Sequence, residues 1–130
     1  MSRPVSTISP KTSVRAAAAM MKEHGLGFLP VCVDGRPVGL VTDRDIVARW
    51  VPLVAYDASV DSIMTPNVIT CLASQSVREA AHIMGDRQIR RLVVLDDTGA
   101  VCGVLTLGDI ANDVSEELAG QTLGEIVELR

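Results

Sequence analysis

Apolar positions in this chain change period several times, and the changes mark out its elements. Val14, Ala17, Ala18 and Met21 recur at helical spacing, so residues from Val14 to His24 are predicted to form a helix with one apolar face. Ser13 stands just before it as an N-cap, and Gly25 just after it as the usual residue beyond a helix C-terminus. Two strand-like runs follow, Phe28 to Val33 and Pro37 to Thr42, joined by Asp34-Gly35, a strong hairpin signal. A second helix is predicted to open at Asp43-Arg44-Asp45-Ile46.

The same order returns further along. Val77, Ala80, Ala81 and Met84 repeat the helical spacing behind Ser76. Strands are predicted over Arg91 to Leu95 and Ala100 to Thr106, around Asp96-Asp97-Thr98-Gly99, and a helix start at Leu107-Gly108-Asp109-Ile110. Sliding the chain by 63 residues lays Val5 on Val68, Thr7 on Thr70, Ser13-Val14-Arg15 on Ser76-Val77-Arg78 and Leu29 on Leu92. After one inserted residue, Gly35, Gly39, Thr42 and Asp45-Ile46 meet Gly99, Gly103, Thr106 and Asp109-Ile110. About 16 identities over roughly 42 positions with a single gap identify an internal duplication.

Each copy therefore reads short strand, helix, strand, strand, helix. One such unit buries too little surface alone, so the two are expected to pack together. The expected division is residues 1–51 for the first repeat, 52–66 for a linker with a helical turn at Val60 to Met64, 67–114 for the second repeat, and 115–130 for a C-terminal helix. In that last helix Leu118, Leu123, Ile126 and Val127 form an apolar set that would dock on the body or on a partner.

Composition narrows the function classes. The chain has 130 residues, a net charge of −4 and three aromatics, Phe28, Trp50 and Tyr56. The core must be aliphatic, and neither a basic stripe nor a stacking platform for nucleic acid is available. No apolar run approaches the ~18–20 residues of a membrane span, and Met1-Ser2-Arg3-Pro4 lacks an apolar signal segment, so a cytoplasmic protein is expected. Cys32, Cys71 and Cys102 are scattered among aliphatic residues and read as small hydrophobes in strands. His24 and His82 have no nucleophile or carboxylate at a catalytic spacing, Asp43-Arg44-Asp45 reads as a helix start, and no enzyme is expected.

Each copy resembles a CBS domain. The likeness is carried by the Ser-Val-x-x-Ala-Ala helix, the Leu29-Pro30-Val31 strand and the closes Gly39-Leu40-Val41-Thr42-Asp43-Arg44-Asp45 and Gly103-Val104-Leu105-Thr106-Leu107-Gly108-Asp109. It spans about residues 5 to 114 and is similar to stand-alone CBS pairs (Bateman modules). The resemblance implies an α/β (α+β) fold of tandem repeats, each a short mixed sheet with two helices, packed as a pseudo-two-fold pair. It also implies two clefts between the repeats that take adenosine compounds such as AMP, ADP, ATP, S-adenosylmethionine or NAD as regulatory ligands, with no cofactor required. A homodimer and an unidentified regulated protein are the implied partners, and the implied role is a non-catalytic regulatory module. The alternative is a ligand-free interaction or dimerisation scaffold.

The Thr-x-x-Asp pairs, Thr42/Asp45 and Thr106/Asp109, have two readings. They are spaced as a capping box, which needs no ligand. The same carboxylate could accept both hydroxyls of a ribose, while Thr and the helix N–H groups face a phosphate. Arg91 holds the place where nucleotide-binding family members often carry a phosphate-reaching cation, and its counterpart in the first copy is Phe28. The better-equipped cleft is therefore Arg91, Thr106 and Asp109 with Thr7 crossing from the first copy. The other is Thr42 and Asp45 with Thr70 crossing.

Overall fold

The computed structural model describes residues 6–51 and 58–129. Val5, Tyr56 and the first half of the expected linker lie outside the described residues. The described residues divide into two compact units, 6–68 and 69–129.

In the first unit, α1 (Val14–His24) begins where the Ser13 hydroxyl accepts from Ala16 N and stops at Gly25, whose φ of 63° no β-carbon hinders. Strands β1 (Phe28–Val33) and β2 (Arg36–Thr42) form an antiparallel hairpin with Phe28 opposite Thr42. Both turn residues, Asp34 and Gly35, have positive φ, as a two-residue turn matched to strand twist requires. Ahead of α1, Ile8 bridges β1 in parallel through bonds to Pro30 O and from Cys32 N, too briefly to count as a strand. Helix α2 (Asp43–Asp45) runs on into a π turn, Ile46–Trp50. A 3₁₀ turn at Val60–Ser62 then leads to Thr65, which exchanges two backbone bonds with Leu40 on β2. Val60 and Ile63 are buried in the same core as Val14, Met21, Leu29 and Val41, so the stretch after Ala58 belongs to this unit.

The second unit repeats the plan with its first strand fully formed. Strands β3 (Thr70–Leu72), β4 (Arg91–Leu95) and β5 (Val101–Thr106) make one sheet in that order, β3 parallel and β5 antiparallel to β4. Helix α3 (Val77–Arg87) is capped by Ser76, and α4 (Leu107–Asp113) follows β5 directly. The register repeats too: Arg91 stands opposite Thr106, as Phe28 does opposite Thr42. Arg90 O accepts from Leu107 N where Gly27 O accepts from Asp43 N, both at 2.9 Å. Where α1 ends on a glycine, α3 ends on Gln88 at φ 54°, a costly conformation for a side chain. Its amide compensates by donating to Glu125 O and Glu128 O at the end of the last helix.

That helix, α5 (Glu116–Ile126), lies against α3 and α4. Its inward face is Leu118, Ala119, Thr122 and Ile126, not the full apolar set expected from the sequence. Leu123 and Val127 are exposed, because each lies one residue, about 100° of helix, past an inward position. The close approach is made at Gly85, where a β-carbon would run into the Glu125 side chain. Thr122 is tolerated inside because its hydroxyl donates to Leu118 O at 2.8 Å.

Candidate functional site

Both Thr-x-x-Asp pairs form complete capping boxes. Thr42 Oγ1 accepts from Asp45 N at 3.1 Å while Thr42 N donates to Asp45 Oδ2 at 2.9 Å. Thr106 and Asp109 make the same pair of bonds at 3.0 and 2.9 Å. One carboxylate oxygen of each Asp is thus committed to the fold, and only the other is open to further chemistry.

The copies differ at that second oxygen. Asp45 is 7% exposed; its Oδ1 accepts from Thr65 Oγ1 at 3.4 Å and lies 3.8 Å from Arg49 Nε. Arg49 is held in turn by Ile63 O at 3.2 Å. In the second unit Asp109 is half-buried, and among the described residues its Oδ1 has no partner. The position equivalent to Arg49 is Asp113, another carboxylate.

Asp109 lies on the wall of a groove of about 180 Å³ with Cys71, Val77, Val94 and Leu105, and with Asp113 at the end of α4. The groove is mostly apolar, and among the described residues its charged side chains are the carboxylates of Asp109 and Asp113, with no Lys, Arg or His. Thr106 supports Asp109 from behind through the cap, and Arg91, opposite Thr106 across the ladder, is not part of the wall. Thr70 begins β3 and Thr7 precedes Ile8, each within its own unit. Sequence reasoning overlooked Asp113, Arg49 and Thr65; the equivalence of Arg49 and Asp113 was readable by extending the 64-residue offset four positions beyond Asp109.

None of the three cysteines is in a disulfide, and they lie in strands β1, β3 and β5. Burial pushes the Cys71 thiol above its ordinary value, with the nearby Cys102 adding to the effect, and burial alone does the same to Cys32. A neutral buried thiol stabilises the fold fully below the unfolded thiol's titration and loses that contribution as pH rises through the higher folded value. Urea midpoints are therefore expected to fall between pH 7.5 and 9.5, and to fall less in Cys71→Ala. Equal falls in the two proteins would show that other groups govern that range. Among the described residues, no three His, Cys, Asp or Glu side chains are grouped to hold a metal ion, and no helix is long and apolar enough to cross a membrane.

Two segments, residues 1–51 and 60–116, match the sequence profile of the CBS domain. The chain belongs to the CBS-domain family. The CBS domain-containing protein YhcV of Bacillus subtilis is 35% identical over 128 residues, covering 97% of this chain and 91% of its own length. Among solved structures, a CBS domain protein from Pyrobaculum aerophilum complexed with AMP is similar at a TM-score of 0.80 and 26% identity, over 92% of this chain and 95% of that one. The CBS domain pair of protein MJ0100, in complex with 5′-methylthioadenosine and S-adenosyl-L-methionine, gives a TM-score of 0.75 and 31% identity over 85% and 91% of the two chains. The fold is thus a mixed α/β tandem of CBS repeats, as the duplicated pattern implied.

Proposed function

We propose that this chain is a regulatory CBS pair that senses an adenosine-containing compound through its second repeat. The observation that carries the reading is the open Oδ1 of Asp109 on the wall of an apolar groove. A nucleobase needs an apolar slot, and a ribose needs a fixed acceptor that its two hydroxyls can share; the capping box holds that acceptor rigidly at no further cost in side-chain entropy. Related CBS pairs seen with AMP, 5′-methylthioadenosine and S-adenosyl-L-methionine support the ligand class. This reading also assigns Thr7 to the ligand site, with Arg91 as the cation for any phosphate. The first-repeat site, Thr42 and Asp45 with Thr70, is a fold tie, since Arg49 and Thr65 hold its carboxylate. Binding regulates only if it favours one arrangement of the repeats over another.

The test is a thermal-shift panel of adenosine, AMP, ADP, ATP, S-adenosylmethionine and NAD on the purified chain. A saturable upward shift with at least one compound is expected. No shift at millimolar concentration makes the chain an interaction scaffold. The reading includes a cytoplasmic homodimer acting on an unidentified protein, because Val47, Val51, Val114 and Val127 are each more than half exposed. Light scattering at micromolar concentration is expected to give twice the chain mass; a monomer would remove the dimer from the reading.

A further inference from the structure

Two exposed faces of opposite charge stand on different helices of this chain. The first is built by α1 and the π turn packed beside it. Arg15 and Lys22, two turns apart on α1, are exposed, and among the described residues neither has a carboxylate partner. Arg15 lies over the Trp50 ring, 5.5 Å from its centroid, which joins the helix to the π turn. Val47 and Val51 on that side of the unit are 65% and 54% exposed. The duplication shows what such a face receives. Ala18, Lys22 and Val47 stand where the second repeat has Ala81, Gly85 and Ala111. There Ala81 and Gly85 are buried, Ala111 packs on the core that α5 closes, and Gly85 lies under the Glu125 side chain.

The second face is the outward side of α5, where Glu116, Glu117, Gly120, Leu123, Gly124 and Val127 are all exposed. The helix carries four carboxylates within residues 116–128 and no Lys, Arg or His. Glycine lowers helix stability relative to alanine, yet a β-carbon at Gly120 or Gly124 would meet no atom within 4 Å. Among the described residues, the fold itself therefore makes no use of either glycine. An incoming helix with alanines at its surface, as α1 has at Ala16 and Ala19, gains a closer approach from both.

We infer that two copies of the chain associate by exchange, α5 of each lying on the α1 and π-turn face of the other. The inference rests on the homodimer in the reading above and specifies its faces. Pairing α5 with α5 sets carboxylates against carboxylates, and pairing α1 with α1 sets Arg15 and Lys22 against their own kind. Unlike faces attract instead, with the α5 carboxylates toward Arg15 and Lys22 and the exposed valines of both faces leaving water.

Sedimentation equilibrium of the full chain tests this. Arg15→Glu with Lys22→Glu is expected to raise the dimer Kd at least tenfold, and so is Glu117→Lys with Gln121→Lys. An equimolar mixture of the two variant chains is expected to regain a dimer within threefold of the unaltered one. Each contact in the mixture again joins an acidic face to a basic one, and recovery shows that both variants are folded. If circular dichroism shows either variant unfolded, Arg15→Gln with Lys22→Gln replaces them and is expected to weaken the dimer at least threefold. A dimer unmoved by these changes overturns the inference and leaves the homodimer standing. So does a mixture that stays monomeric, or a variant that recovers with the unaltered chain better than with the other variant. A monomeric unaltered chain removes the homodimer and the inference together.

Discussion

Asp109→Ala is expected to abolish the thermal shift that an adenosine compound produces, while Asp45→Ala keeps that shift and lowers the starting melting temperature more. A ligand present at 100 times its Kd stabilises the folded chain by about 2.7 kcal/mol, on the order of 8 °C for a protein of this length. Asp109 contributes the acceptor with an open oxygen, and among the described residues the groove wall's other carboxylate is Asp113. Both variants lose a capping box, at about 1 kcal/mol. Asp45→Ala also strands Thr65 and Arg49 beside a buried gap, which adds about 1 kcal/mol more. Melting curves of the two variants with and without ligand check the pair together. Loss of the shift in Asp45→Ala with its retention in Asp109→Ala would place the ligand in the first repeat.

Ile110→Ala is expected to have the largest effect on stability. Ile110 is fully buried, in the core shared by Met84, Leu92, Leu105 and Ala119. Its carbonyl also accepts from Val114 N and Ser115 N, where the chain turns from α4 into α5. Truncation leaves a cavity bounded by a sheet and two helices that already touch through Gly85 and Glu125, so little collapse can offset it. A loss of about 3–4 kcal/mol is expected by urea denaturation. The equivalent Ile46→Ala should cost less, because Ile46 opens a π turn at 9% exposure. Equal losses would show that the two cores are packed alike despite the π turn.

Elements whose signals are local could be read from the sequence. Ser13 and Ser76 as caps, Asp34-Gly35 as a turn, the helix starts at Asp43 and Leu107 and the strands between them each depend on residues within a few positions of one another. The duplication added the family, because two weak patterns in register are stronger than either alone. The Thr-x-x-Asp spacing showed where a carboxylate would sit but could not decide its use. Asp45 is closed off by Thr65, twenty residues away in sequence, and only the Leu40–Thr65 bridge brings the two together. The inward face of α5 was equally out of reach. Helical periodicity offered Leu123 and Val127 as readily as Leu118 and Ile126, and the choice depended on where Gly85 opened room on α3. Gln88 in a left-handed conformation has no sequence signal, since its compensation comes from carbonyls about forty residues onward.

The doubled role of the capping carboxylate bears on how such repeats diverge after duplication. Because Oδ2 of Asp45 and of Asp109 closes a helix start, either residue is held in place by folding whether or not its copy meets a ligand. A copy can therefore fall silent without losing its signature, simply by acquiring a side chain that occupies the remaining oxygen. The residue one helical turn later, Arg49 in one copy and Asp113 in the other, is free of that constraint and can drift with use. In a duplicated chain of this kind, the informative position for assigning a live site is the neighbour of the motif, and the motif itself reports only that the repeat folds.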